Sequence, residues 1–225
     1  MHKIFKYLFF IATIFELVRN ALNWDFEHYS KPLIVLTLFL YFITSKVERT
    51  SAFWLVVGAL VFSWLGDSFL MYQETDTGYF VLGLLSFLVA HILYAISYFK
   101  LRWAEAENPL LPTQKLRHSF TLVLAGVALV WILSPNLGDM RLPVTVYAAV
   151  LTFMAIAALL RYGYTPIKSF GLVFGGAVFF MISDSLLAIN KFLESFTYSG
   201  FWVMLTYSIA QYLIVEGVLR HTPKE

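Results

Sequence analysis

Residues 58–71 read GALVFSWLGDSFLM, and residues 175–188 read GGAVFFMISDSLLA. Each is an apolar run interrupted by one carboxylate, Asp67 in the first and Asp184 in the second, and each continues apolar on both sides. About 20 consecutive apolar residues is the length a helix needs to cross a bilayer. Without gaps, six of the 14 positions are identical, Asp67-Ser68 falling on Asp184-Ser185. Two membrane spans that resemble one another, each with an acidic group inside, set the frame for the rest of the chain.

Outward from these runs, eight stretches are long and apolar enough to span: roughly 4–22, 32–47, 51–72, 79–100, 117–134, 143–161, 169–190 and 200–219. The composition agrees. Hydrophobic residues make up 60% and charged residues 13% of 225, with a mean hydropathy of +0.73. A soluble domain carries about 25% charged residues, so a soluble fold is excluded. Sixteen basic against 14 acidic residues leave a surplus of only two, too little for a nucleic-acid binder, and the absence of cysteine excludes disulfides, thiol catalysis and cysteine-held metals. The expected fold is all-α, a polytopic bundle of eight transmembrane helices forming one domain over 1–225.

The longest break, Leu101 to Leu116, divides the chain into four helices and four, with halves of roughly 1–101 and 116–225. Pro32 and Pro143 are each expected to open the second helix of their half. Spans 3 and 7 would then share orientation and relate by an axis along the membrane normal. Chance similarity between apolar helices is the alternative; the repeated Asp-Ser pair argues against it. The first span follows Lys3 and Lys6 like a signal peptide, but Glu16, Arg19 and Asn20 stand where a small-residue cleavage site would, so it is read as uncleaved. Arg19, Lys31, Arg141 and Lys191 fall on one side of the membrane and the other twelve cations on the opposite side. The positive-inside rule therefore places both termini in the cytoplasm.

An aspartate at the centre of a span costs at least about 2.5–3.5 kcal/mol, so each one needs a reason. Asp67 and Asp184 are expected roughly 7 Å below the non-cytoplasmic interface, beside Ser68 and Ser185, with Gly66 admitting a neighbouring helix. Helix capping, or pairing with Arg19 or Lys31, is the alternative to a functional site. Thr13, Glu16, Asn20 and Asn23 share one face of span 1 and must point into the bundle; Arg19 beside them could simply pair with Glu16. His91 is the one histidine well inside a span, with Tyr94 and Tyr98 on its face; it is either a site residue or a hydrogen-bonded structural histidine. Tyr207 and Gln211 reach the midplane from span 8. Glu216, near the end of that span, is expected to snorkel to the interface. A basic rim of Lys31, Arg19 and Arg141 over an acidic, tyrosine-lined pocket suits an amphiphile with a phosphate headgroup. No HExxH, cysteine or second intramembrane histidine accompanies His91, so no metal or other cofactor is expected.

The set Lys31-Pro32-Leu33, Gly66-Asp67-Ser68-Phe69-Leu70-Met71, Phe80, Gly83-Leu84, Phe87, Ala90-His91, Tyr94, Phe180, Ser183-Asp184-Ser185, Tyr207 and Ala210-Gln211 resembles the YhhN family of eight-span membrane proteins, the lysoplasmalogenases. The resemblance covers essentially the whole chain. It implies an ether hydrolase that opens the vinyl ether of a lysophospholipid substrate, lysoplasmenylethanolamine or lysoplasmenylcholine, to a fatty aldehyde and glycerophosphoethanolamine or glycerophosphocholine. It implies no cofactor and, as location, the inner membrane of a bacterial cell.

That chemistry needs an acid to protonate the vinyl β-carbon and a carboxylate to stabilise the oxocarbenium ion and activate water. Asp67 and Asp184 are the implied pair. His91, Tyr94, Tyr207 and Gln211 would orient them or the water, with Ser68, Ser185, Glu16 and Asn20 lining the pocket. Lys31 would hold the phosphate with Arg19 as helper. A lysolipid hydrolase cutting another bond, or a lipid-binding or lipid-translocating protein without catalysis, are the competing expectations.

Overall fold

The computed structural model describes residues 2–22, 24 and 27–222, without the side chains of residues 27–29; Asn23 and Lys224 lie outside the described residues. Among these, eight α-helices follow one another: α1 (His2–Leu22), α2 (Glu27–Ile43), α3 (Ser51–Leu70), α4 (Thr77–Lys100), α5 (Pro112–Leu133), α6 (Arg141–Leu159), α7 (Ile167–Phe192) and α8 (Ser199–Leu219). Two short 3₁₀ turns, Ser134–Asn136 and Gly138–Met140, join α5 to α6. The helix starts carry their signals in the sequence. Thr50 caps α3 by accepting from the Phe53 amide at 3.3 Å, Asp76 caps α4 through Gly78 at 2.7 Å, and Pro112 opens α5.

Pro143 stands in the first turn of α6, as its sequence suggests, but Pro32 does not open α2. That helix begins at Glu27, and Pro32 stands in its second turn, removing one backbone bond near the helix start. Six helices, α3 through α8, are long and apolar enough to cross a membrane, and α2 adds a shorter apolar segment, Ser30–Ile43. The chain is a multi-pass membrane protein.

The distribution of polarity is the reverse of a soluble helix bundle. On α1, Phe9, Thr13, Glu16 and Arg19 are buried while Ile4, Tyr7, Ile11, Ile14 and Phe15 face outward. Glu16, Asp67, His91, Arg161 and Gln211 are all inside. Hydrocarbon tolerates an apolar exterior and demands that charges be satisfied within.

The tightest neighbours are α3 with α4 and α7 with α8. Small residues set these distances: a Cβ at Gly66 would lie 2.6 Å from the Phe87 ring, and one at Gly176 2.8 Å from the Ala210 carbonyl. In contrast, α5 buries only Leu133 and stands at the edge of the bundle.

The end of the bundle that carries both termini is tied by two polar clusters. Glu216 is buried, not snorkelling; it accepts from Tyr41 at 2.9 Å and from Arg220 at 2.8 Å, with Lys6 at 3.5 Å, so α1, α2 and α8 converge on one carboxylate. Snorkelling fails because partners from α1, α2 and the end of α8 reach in to hold the carboxylate where it is. Arg161, just past α6, is fully buried and donates to Ser169 at 3.0 Å, Thr165 at 3.2 Å and the Leu101 carbonyl at 3.4 Å. The Thr165 hydroxyl in turn meets His221 Nδ1 at 2.8 Å, which fastens the C-terminal tail.

Candidate active site

The two intramembrane aspartates each receive a tyrosine hydroxyl. Asp67, on α3, is 3% exposed and accepts from Tyr207 of α8 at 2.7 Å. The Tyr207 oxygen accepts from the Gln211 amide at 3.3 Å, and Gln211 Oε1 accepts from Tyr94 of α4 at 2.7 Å. Tyr94 and Gln211 are 117 residues apart, the same interval that separates Asp67 from Asp184. Asp184, on α7, accepts a short hydrogen bond from Tyr147 of α6, and His91 of α4 reaches the same carboxylate oxygen at 3.5 Å. His91 Nε2 lies 3.0 Å from the Tyr147 oxygen. Since that hydroxyl gives its proton to Asp184, the network assigns the Nε2–H tautomer to His91. Nδ1 then faces the buried interior with no hydrogen-bond partner among the described residues.

Phe87 and Phe180 touch both networks. Phe180 meets His91 edge-on at 4.6 Å and Tyr207 at 5.5 Å, and Phe87 meets Tyr207 at 5.9 Å. These rings pack against the tyrosines and the histidine and hold them in place.

The aspartates differ in surroundings. Asp184 sits in the wall of a narrow cavity, with room for about 50 Å³ of water-sized occupants, whose other walls are Leu70, Phe80, Leu84, Phe87, Leu151 and Phe192 among others. Its side chain is 13% exposed. Asp67 does not line this cavity. Helix α3 stops at Leu70, three residues after Asp67, and α7 runs to Phe192, eight residues after Asp184. Seven residues beyond each aspartate, Glu74 and Lys191 pair at 3.2 Å.

Other expected site residues have local partners. Glu16 is fully buried and accepts from both nitrogens of the Arg19 fork (3.1 and 2.8 Å), from Asn20 at 2.9 Å and from Ser30 through a short bond. Arg19 also donates to the Trp24 carbonyl at 3.2 Å. This is a clasp between α1 and α2. Ser68 and Ser185 turn away from the aspartates and donate to carbonyls of their own helices, Trp64 at 2.8 Å and Met181 at 2.6 Å. A serine next to a buried residue points about 100° around the helix and satisfies itself on the preceding turn. Lys31 is half-buried on α2.

Two residues were not singled out from sequence. Tyr147 is the lone tyrosine of α6, four residues after Pro143, and that isolation in an apolar span was the available signal. Lys191 stands 5.6 Å from the centroid of Phe80, a cavity wall, and pairs with Glu74 at 3.2 Å. Among the described residues no three histidine, aspartate or glutamate side chains gather as a metal site would require.

Fold and site together define a multi-pass membrane protein with two tyrosine-bound carboxylates inside the bundle, one of them open to an apolar cavity. The profile of the YhhN family matches residues 26–218, and the chain belongs to that family. It is 36% identical over 189 residues to lysoplasmalogenase TMEM86A of Homo sapiens, covering 81% of this chain and 73% of the relative, and 37% identical to the Bos taurus protein of that name over the same shares. Lysoplasmalogenase TMEM86B of Rattus norvegicus is 33% identical over 190 residues, 84% of this chain and 71% of the relative. No solved structure matches the chain.

Proposed function

We propose that this protein hydrolyses the vinyl ether bond of lysoplasmalogens, releasing a fatty aldehyde and a glycerophospho-alcohol. One observation carries the reading beyond the family relationship: Asp184 is a carboxylate in the wall of an otherwise apolar cavity, held by Tyr147 and backed by His91. Walls of this kind suit hydrocarbon, and an alkenyl chain laid along them would bring its first double bond to a proton donor.

Asp184 Oδ2 is occupied by Tyr147, so Oδ1 is the oxygen that carries the transferable proton. It protonates the β-carbon of the vinyl ether, and positive charge develops at the α-carbon and ether oxygen. The carboxylate left behind stabilises that ion, as in the related oxocarbenium problem of glycosidases. Water adds to the α-carbon and returns one proton to Asp184. The hemiacetal then loses its hydroxyl proton as the C–O bond breaks, and the glycerol oxygen takes a proton. The net reaction consumes one water. Asp67 does not touch the substrate in this scheme; with Tyr207, Gln211 and Tyr94 it positions the wall behind Phe87.

Two cations are candidates for the phosphate. Lys31 stands on the Asp67 side, and Lys191 stands at the cavity mouth over Phe80. The cavity geometry favours Lys191. We place both termini in the cytoplasm and the cavity mouth on the opposite side, from the distribution of lysines and arginines.

The test is purified protein with lysoplasmenylethanolamine in heavy water. The aldehyde, trapped as a hydrazone, should carry one deuterium at carbon 2, with or without chelator. Release of fatty acid from an ester-linked lysolipid and no aldehyde would assign the protein to a different hydrolase class; binding with no product would make it a lipid-binding protein.

A further inference from the structure

Three apolar crevices run round α5 and lead to Asp184. A groove of about 590 Å³ lies between α5 and α6, walled by residues such as Val127, Val130 and Phe153, with Arg141 and Ser134 at its far end from the termini. A second crevice, about 300 Å³, lies between α5, α6 and α7. Gly126, Ala148 and Thr152 border both. Leu129, Ala148 and Leu151 border the second crevice and the Asp184 cavity alike. The spaces are therefore neighbours, narrowing from the bundle surface to the carboxylate.

The helix that covers this path is the least anchored of the eight. Only Leu133 of α5 is buried, while Leu116, Phe120, Leu124, Val127 and Trp131 face outward. The α3–α4 and α7–α8 pairs, by contrast, pack most closely. A lysolipid resides in the membrane with its chain among other chains, so a path bounded by apolar walls lets it reach the centre without crossing water. Arg141, exposed at the polar end of the outer groove, supplies the charge that a phosphate requires while the chain lies along α5.

We propose that the hydrocarbon chain of a phosphate-bearing lysolipid reaches Asp184 sideways from the bilayer, through the crevices between α5 and α6–α7, with Arg141 receiving the phosphate on arrival. The proposal rests on the function stated above and adds the binding path of the substrate. At the Asp184 end the cavity is too narrow for a chain, so α5 must move outward from α6 during passage.

The chain holds no cysteine, which makes the movement directly testable. A Cβ built at Gly126 lies 3.7 Å from the Thr152 Cβ, inside the roughly 3.5–4.5 Å range of disulfides. In the double variant Gly126→Cys/Thr152→Cys, oxidation should pin α5 to α6. Aldehyde release from a long-chain lysoplasmalogen in nanodiscs should fall at least about tenfold on oxidation and return on reduction. A short, water-soluble vinyl ether should be cleaved equally in both states. Full long-chain activity in the oxidised protein would overturn the path.

A second arm separates this idea from the function. A lysolipid with a photoreactive tail, applied to the wild-type protein, should label α5 and α6 residues such as Val130 and Phe153. Arg141→Gln should reduce that labelling for the phosphate-bearing probe and leave it unchanged for a neutral alkenylglycerol probe. Labelling at α5–α6 without any aldehyde product would keep the path and remove the hydrolase reading; labelling confined to other helices would remove the path even if the enzyme is active.

Discussion

Tyr207 of α8 donates to Asp67 of α3 at 2.7 Å, and its oxygen accepts from Gln211 at 3.3 Å. The hydroxyl is thus both donor and acceptor, and the carboxylate is held by a group that is itself held. Removing it should be felt in the fold before it is felt in the chemistry. Tyr207→Phe leaves a buried carboxylate oxygen without its donor, which costs about 1–3 kcal/mol. The variant should unfold at a lower temperature in detergent, while KM for substrate changes little. An unchanged melting temperature would show that water or another side chain replaces the hydroxyl at no cost.

The carboxylates should separate in a kinetic comparison. Asp184→Asn keeps the shape and removes the proton, so kcat should drop at least about 10²-fold with the protein still folded. Asp67→Asn acts from behind Phe87 and should lower kcat by about tenfold or less. Equal losses would place Asp67 at the substrate and require the cavity to extend to it. Tyr147→Phe, which releases Asp184 from its short hydrogen bond, should fall between the two.

The phosphate assignment predicts an order. Lys191→Ala should raise KM for lysoplasmenylethanolamine by about one to two orders of magnitude, the worth of a charge-assisted hydrogen bond of roughly 1.5–3 kcal/mol. Lys31→Ala should do less, since Lys31 acts on Asp67 rather than at the cavity mouth. The reverse order would move the headgroup to the α2 side and restore the assignment that sequence alone favours.

Much of this was legible in the sequence because membrane proteins write their constraints plainly. Hydropathy marks the spans, and a charge inside a span stands out against 60% hydrophobic residues. Asp67, Asp184, His91, Tyr207 and Gln211 were visible for that reason. Their partners were not. That Glu16 spends itself on Arg19, Asn20 and Ser30 depends on how α1 crosses α2, and spacing along one helix cannot supply that. Ser68 and Ser185 looked like site residues through adjacency in sequence, yet neighbours on a helix face different directions. Tyr147 was easy to pass over because tyrosine is common here, 13 in all; its isolation in α6 is a weak signal, and its contact with Asp184 is what gives it a role.

His221 is held at Thr165 beside Arg161, and burial, with Arg161 as the second cause, pushes its pKa down from 6.5 to about 4. The folded protein therefore keeps this histidine neutral where an unfolded chain would protonate it. Between pH 6.5 and 4 the unfolded state binds more protons, so stability rises with pH across that window. The contribution is complete above pH 6.5 and is lost as the pH falls toward 4. Melting temperature should decline from pH 7 to pH 5, and His221→Asn, which can still hydrogen-bond Thr165 but cannot titrate, should flatten that decline. The activity of the variant at pH 7 should match the wild type, because His221 lies at the opposite end from Asp184. An identical pH slope in the two proteins would show that the tail detaches without consequence and that other groups set the acid limit.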